Sequence, residues 1–402
     1  MSLELNQEAQ RCLQCKVARC HNACPISTEV PAMIRLFKEN RIEEAGQMLY
    51  LNNPFSLVCS YVCNHQAQCV GNCILGIKST PIAVNEIEKS IGLDMLDHLE
   101  TVYNQPLVTE KKVAIIGAGP SGIAAALLLR SKGIASVIYE KQPKLGGTLR
   151  YGIPDFRLSH SIIDRYETVL EQCGIVSHTN TCIDQQRFNE LRETYSALLV
   201  AVGVWEQKDL HIEGEKEYAV SGVDYLVNPE AYAVEGRVIV LGAGNSAIDV
   251  SRVAKRSGAA QVDVYARTNR IRASQHELDE AASDGVILNT GMAPQQICAD
   301  GVWFEKKVYD ENNEWDQSIP AETCFVEARH VIVSINRGMD FHMQGIELDK
   351  WQNIAVDAQG MSSLEGVYAS GDAVTGARTV VHAVAQVKPI VEAIQARVMN
   401  QG

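Results

Sequence analysis

The chain has 402 residues, enough for two or three domains with cores of their own, and an apolar share of 46% that is ordinary for a globular protein. A formal charge of −13 argues against a nucleic-acid or anionic-membrane surface, either of which would want a basic face. No apolar run approaches the ~18 residues of a membrane span, and Met1 to Arg11 is polar, so the expectation is a cytoplasmic protein without a signal peptide.

Eight of the twelve cysteines fall between Cys12 and Cys73, while Cys173, Cys182, Cys298 and Cys324 stand singly downstream. Such clustering in a cytosolic chain points to metal rather than disulfides. Cys12, Cys15, Cys20 and Cys24 follow C-x2-C-x4-C-x3-C with Pro25 next, close to the bacterial ferredoxin run in which the fourth cysteine serves a second cluster. A helical pair is expected at Glu29–Glu39 and Ile42–Leu51. The second set, Cys59, Cys63, Cys69 and Cys73, is spaced C-x3-C-x5-C-x3-C. Eight thiolates suit two [4Fe-4S] clusters. Structural zinc and free buried cysteines are the alternatives, but zinc favours paired C-x2-C hooks and only the first set has one. His21 and His65 read as surface residues rather than ligands.

Thr101–Lys112 is a polar connector, and the strand Val113–Ile116 follows it. Gly117, Ala118, Gly119, Pro120, Ser121 and Gly122 then give G-x-G-x-x-G before an Ala/Leu-rich helix. The glycines permit a tight turn, approach of a pyrophosphate to the backbone, and close strand–helix packing. The strand Ser136–Tyr139 ends in Glu140, placed to accept hydrogen bonds from a ribose. Gly146 and Gly147 let a loop pass close to a flat ligand, and Arg157 is a candidate for phosphate or a ring edge.

A strand at Ala197–Val202 ends in Gly203, and Arg237–Leu241 then leads into a second glycine loop, Gly242, Ala243, Gly244, Asn245, Ser246, with Ala247 at the third glycine position. Two such units, 125 residues apart, indicate two dinucleotide domains. The strand Gln261–Tyr265 ends without an acid and runs into Ala266, Arg267, Thr268, Asn269, Arg270, Ile271 and Arg272. Arginines there suit a 2′-phosphate, which favours NADPH over NADH. Near the end, a strand runs into Gly371-Asp372, where an aspartate can bond a flavin ribityl chain. The helix Val380–Ala396 can aim its N-terminus at the flavin's pyrimidine oxygens.

Taken together, the two cysteine sets, Glu140-Lys141-Gln142, Ile153-Pro-x-Phe-Arg-Leu158, Ile271-Arg-Ala-Ser274 and the terminal Gly-Asp resemble the small subunit of glutamate synthase and the N-terminal electron-input half of dihydropyrimidine dehydrogenase, over essentially the whole chain. The resemblance implies an α/β chain with an N-terminal α-helical iron–sulfur domain (1–108) and two nested Rossmann-like domains, one for FAD (109–234 plus 340–402) and one for NAD(P)H (235–339). It implies one [4Fe-4S] cluster on Cys12, Cys15, Cys20 and Cys73, and a second on Cys24, Cys63, Cys69 and Glu88. Cys59 is then spare, whereas spacing alone makes it the eighth ligand.

By the same resemblance FAD lies on Ala118 to Gly122, Glu140, Lys141, Gly146, Gly147, Thr148, Arg157 and Gly371 to Val380, including Asp372 and Thr379. NADPH lies on Gly242, Gly244, Asn245, Ser246, Arg267, Thr268 and Arg272. The chain departs from the family at Ser334-Ile335-Asn336, where Ala-Ile/Phe-Gly is usual, and at Ala266, where a first arginine often stands. The implied reaction is hydride transfer from NADPH to FAD, then single electrons through the clusters to an FMN-containing catalytic subunit or a ferredoxin-like acceptor in a hetero-oligomer. The alternatives are the NAD(P)H-oxidising subunit of a dihydropyrimidine dehydrogenase, a stand-alone NAD(P)H:acceptor reductase, and a scaffold whose cofactors are idle. A dithiol mechanism is not expected, because neither nucleotide domain holds a C-x-x-C.

Overall fold

The computed structural model describes residues 3–310 and 312–400. It divides into two compact units, Met1–Arg150 with Asp155–Val204 and Met339–Gly402, and Tyr151–Pro154 with Trp205–Gly338.

The first unit is built on a parallel sheet. Among the described residues its strands run, in spatial order, Val367–Ala369, Ala197–Val200, Lys112–Ile116, Ala135–Tyr139 and Val176–His178. Lys112–Ile116 is central, with Val113 opposite both Ser136 and Ala197. Its four apolar residues are all buried, as a strand covered on both faces requires. The helix Pro120–Ser131 starts with proline at its first position, where the missing N–H costs nothing. Gly122 sits so close to the preceding turn that an added Cβ would lie 2.0 Å from the Gly117 carbonyl oxygen.

The N-terminal segment, expected as a helical domain over 1–108, packs within this same compact unit. Its helices include Val30–Lys38, Ile42–Asn52, Ser56–Val62 and Val84–Met95, so the expected pair is present with ends shifted by a residue. A buried tyrosine ties it to the nucleotide-binding body: the Tyr166 hydroxyl, from the helix His160–Gln172, donates to the Pro54 carbonyl at 2.8 Å. Within the segment itself, Tyr103 donates to the Tyr50 carbonyl at 2.7 Å. The terminal helix, Val380–Asn400, adds Lys388, whose Nζ donates to Asn52 Oδ1 at 2.5 Å.

The second unit repeats the design with strands ordered Ala219–Ser221, His330–Val333, Arg237–Leu241, Gln261–Tyr265 and Ile287–Asn289, all parallel. It starts at Trp205 rather than at 235, because Ala219–Ser221 pairs with His330–Val333 and so belongs to this sheet. A three-stranded antiparallel sheet, Met292–Cys298, Gly301–Lys306 and Glu322–Glu327, is appended to it and was not expected from the sequence. Among the described residues no helix is long and apolar enough to cross a membrane.

Replacing Gly122 by alanine should overpack the first strand–helix joint and lower the stability of the folded protein by roughly 1–3 kcal/mol. An unchanged denaturant midpoint would show that the joint relaxes freely.

Candidate cofactor and cluster sites

In the first unit, four backbone features converge at the C-terminal edge of the sheet, where ligands of such sheets bind. Gly117 has φ +103°, a conformation that suits glycine. Gly147, at φ +51°, lies so near the first loop that a Cβ on it would stand 2.7 Å from the Gly119 Cα. Glycine at position 147 is what lets the two loops touch. Gly371 (φ +74°) closes the group, its position 3.1 Å from the Ser121 Cβ when a Cβ is added. The Ser121 and Ser370 hydroxyls meet at 2.6 Å, joining the glycine loop to the Gly-Asp strand end.

Glu140 does more than face a ribose. Its Oε2 accepts from the Ala118 N–H at 2.7 Å and its Oε1 from the Gln142 N–H at 2.8 Å. Burial pushes its carboxyl above the usual range, against the pull of these bonds. The carboxylate thus braces the loop, with lone pairs left for hydroxyl donors. Lys141 is held by Asp340, Nζ to Oδ2 2.6 Å, and Thr148 opens the short helix Thr148–Tyr151. Arg157 is half-buried. The Asp372 carboxylate accepts from the Arg378 N–H at 3.0 Å, and the Gly371 N–H donates to Gln386 Oε1 at 2.7 Å. Thr379 Oγ1 meets His382 Nδ1 at 2.6 Å, just ahead of Val380, the first residue of the terminal helix.

Arg150 escaped the sequence reading. It is buried beneath the Gly146–Gly147 turn, donating to the Leu145 carbonyl at 2.8 Å and to Asp164 at 2.7 Å, while Glu167 accepts from the Leu145 N–H at 2.8 Å. A buried, paired arginine two residues after Thr148 has no marker in sequence that separates it from a surface one.

In the second unit Gly242 has φ +128°, and a Cβ there would lie 2.1 Å from the Ser334 carbonyl oxygen. Gly244 meets nothing within 4 Å, which leaves its backbone open to an approaching phosphate. Ala247 is fully buried at the third glycine position. The loop after Gln261–Tyr265 folds back over this turn: Arg272 N–H and Ala273 N–H both reach the Ala243 carbonyl, and Ser274 N–H reaches Asn245 Oδ1 at 3.0 Å. Arg267 is exposed with no ion pair among the described residues, Thr268 Oγ1 accepts from the Arg270 N–H at 3.3 Å, and Arg272 reaches Asn336 Oδ1 at 3.5 Å. Arg337, a second residue missed in the sequence, donates to Ser246 Oγ at 2.8 Å at the start of the helix Asn245–Arg256.

The cysteines separate into two groups. Cys12, Cys15, Cys20 and Cys73 line one cavity, together with Leu13, Val17, Ile34, Ile74 and Ile82. Cys73 comes from the second sequence set, so the grouping follows space and not spacing. Burial, opposed by a backbone bond from His21, leaves the Cys20 thiol raised to about 11. The second group is deeper. Cys69 is raised to about 12 by burial and then by Glu88 and Cys24. Cys63 lies well above its ordinary range through its hydrogen bond with Cys59, burial, and the nearby Glu88 and Cys69. Glu88 is buried, its carboxyl pushed up to about 7, with Ser56 Oγ donating to Oε1 at 2.5 Å. Thiols and a carboxyl desolvated in this way are costly to ionise alone, and a metal cluster is the partner that would stabilise their anions. The chemistry of these donors suits the implied clusters, while among the described residues no three His, Cys, Asp or Glu side chains are grouped as ligands of a single metal ion. Neither histidine stands free on the surface as expected: His21 Nδ1 meets the Thr28 carbonyl at 3.2 Å and His65 Nε2 the Cys59 carbonyl at 3.0 Å, so both brace cysteine turns.

Comparison with known proteins agrees with this geometry. The pyridine nucleotide-disulphide oxidoreductase family matches residues 111–387, and the dihydropyrimidine dehydrogenase domain II, 4Fe-4S cluster, matches residues 2–98. The glutamate synthase [NADPH] small chain of Azospirillum brasilense is 31% identical over 97% of this chain and 88% of its own length. The NAD-dependent dihydropyrimidine dehydrogenase subunit PreT homolog of Salmonella typhi is 28% identical over 96% of this chain and 93% of its own. Among solved structures, Mycobacterium tuberculosis FprA in complex with NADPH shares the fold with a TM-score of 0.61, at 18% identity over 74% of this chain and 85% of that one.

Glu140→Ala strips the acceptor from two loop N–H groups. Hydrogen bonds to a charged group contribute about 1.5–3 kcal/mol each, so FAD retention should fall at least tenfold, read as flavin fluorescence released on dilution. Unchanged retention would show that the loop holds its shape without the carboxylate.

Proposed function

Because the chain belongs to the pyridine nucleotide-disulphide oxidoreductase family, we propose that this oxidoreductase is an electron-input subunit, oxidising NADPH at FAD and passing single electrons through two [4Fe-4S] clusters to an FMN-containing partner or a ferredoxin-like acceptor in the cytoplasm. The observation that carries the reading is the meeting of Cys12, Cys15, Cys20 and Cys73 around one cavity, in a chain that also holds two glycine-loop sheets. A reductase without clusters has no use for that cavity.

In this reading Cys12, Cys15, Cys20 and Cys73 hold an outer cluster, and Cys24, Cys63, Cys69 and Glu88 an inner one. FAD rests on Ala118 to Gly122, Glu140, Gly146 to Thr148, Arg157, and Gly371 to Val380, with Lys141 alongside. Bound there, the flavin supplies the conversion of a two-electron hydride into single electrons. The rest is placement by this chain. The Pro120–Ser131 helix turns its N–H groups toward the pyrophosphate, and Glu140 holds the loop that shapes that pocket. The N-terminus of Val380–Asn400 offers a positive helix end where the ring accumulates charge. The second glycine loop, with Gly244, Asn245 and Ser246, takes the nicotinamide nucleotide, and Arg267, Thr268 and Arg272 read its 2′-phosphate. The glutamate synthase-like assignment is supported by the identity and near-full coverage of that relative. The dihydropyrimidine dehydrogenase reading is supported by the N-terminal domain match.

Anaerobically prepared protein should contain about eight iron and eight sulfide per chain, and NADPH should bleach its flavin. Zinc in place of iron, or a flavin that NADPH leaves oxidised, would remove the electron-input reading. Arg267→Ala should raise the KM for NADPH about ten- to a hundredfold, the loss of roughly 1.5–3 kcal/mol of charge-assisted contact, with little change for NADH. Equal effects on the two nucleotides would show that Arg267 does not contact the 2′-phosphate.

A further inference from the structure

The two glycine loops place a serine at the same point, one residue before the third glycine position: Ser121 in the first and Ser246 in the second. Each is the second residue of its helix, Pro120–Ser131 or Asn245–Arg256, where backbone N–H groups lack partners within the helix. What holds the two hydroxyls differs. Ser121 is buried and meets the neutral Ser370 hydroxyl at 2.6 Å. Ser246 is half-buried, and its Oγ accepts from Arg337 Nη2 at 2.8 Å. Arg337 follows the strand His330–Val333 by four residues, and its backbone pairs with Gln207, which fixes its approach to the helix. Ser246, Ser334, Ile335 and Arg337 line one cleft. The neighbouring Asn245 accepts from the Ser274 N–H through Oδ1 at 3.0 Å, so that side chain holds the adjoining loop.

We propose that Arg337 is a positioning residue for the diphosphate bridge of the nicotinamide nucleotide, acting through Ser246. The inference rests on the reading of the second glycine loop as the nucleotide site. A serine hydroxyl has one proton and two lone pairs, whereas a guanidinium only donates. Arg337 occupies a lone pair, and among the described residues the Ser246 hydroxyl makes no other hydrogen bond. Its proton is therefore left to donate to an anion at the helix start, where diphosphates bind. The positive charge one hydrogen bond behind it strengthens that donor. In the first loop the partner of the matching serine is another hydroxyl, so the cation is particular to the second. A diphosphate bridge is common to NADPH and NADH, so Arg337 acts on both, unlike an arginine that reads the 2′-phosphate.

The test is calorimetric titration of the oxidised full-length holoprotein with NADP+ and with NAD+, the flavin absorbance being recorded in the same samples. Arg337→Ala should weaken both nucleotides by the same factor, about tenfold, with flavin content unchanged. It should also flatten the salt dependence of NAD+ binding. Arg337→Lys keeps a charged donor, enough for a single bond to a hydroxyl, and should recover most of the loss. Ser246→Ala should weaken both nucleotides roughly three- to tenfold, and adding Arg337→Ala to it should cost less than Arg337→Ala alone. Fully additive losses overturn the action through Ser246. Parent-like affinities in Arg337→Ala, or a loss confined to NADP+, overturn the positioning role, while Arg267→Ala still weakening NADP+ alone keeps the reading of the site. A parent protein that binds neither nucleotide removes that reading and the inference with it.

Discussion

The nucleotide-binding half of the first unit depends on two strands of backbone lying closer than side chains allow. Gly147 lies against Gly119 so closely that a Cβ on Gly147 would stand 2.7 Å from the Gly119 Cα. Everything around them keeps that approach in place. Glu140 holds the first loop by the Ala118 N–H, Arg150 holds the second from beneath through the Leu145 carbonyl and Asp164, and the Ser121–Ser370 contact closes the third side. Two carboxylates and a buried guanidinium act here on backbone, not on a substrate.

The N-terminal segment solves a different problem. Burial raises the thiols of Cys20 and Cys69, the Cys63 thiol is raised as well, and the inner group adds a buried carboxyl, Glu88, pushed up to about 7. Without a partner these groups are costly to ionise where they sit. With metal, the anions are neutralised where they sit, and binding free energy becomes folding free energy. The buried tyrosines that anchor this segment, Tyr50, Tyr103 and Tyr166, are aligned so that each hydroxyl reaches a backbone carbonyl, which keeps large side chains in the core at no cost in unpaired donors.

Much of this was readable because the chemistry is written locally. A buried strand, three spaced glycines and an apolar helix are contiguous, and the positive φ of Gly117 and Gly242 is what those glycines are for. The cysteine runs announced metal for the same reason. What could not be read required distant residues to meet. Cys73 joins Cys12, Cys15 and Cys20 across some fifty residues of helix, a grouping that only resemblance suggested. Arg150 and Arg337 look like any other arginine until the fold buries one and sets the other on Ser246. The unit boundary at Trp205 was hidden because Ala219–Ser221 is three residues long and finds its partner more than a hundred residues away. The appended antiparallel strands carry mixed polar and apolar faces, too short to announce themselves against the loops around them.

The terminal helix, Val380–Asn400, takes part in both neighbourhoods. It meets the Gly-Asp strand end through Gln386 and Gly371, and two residues further on, still within its first half, Lys388 grips Asn52, with the Cys24 thiol near enough to act on its charge. Two side chains on one helical turn therefore hold the Gly-Asp strand end on one side and the N-terminal helices on the other. One turn of a helix thus looks both ways, and a substitution that unwinds it disturbs the strand end and the helical segment together.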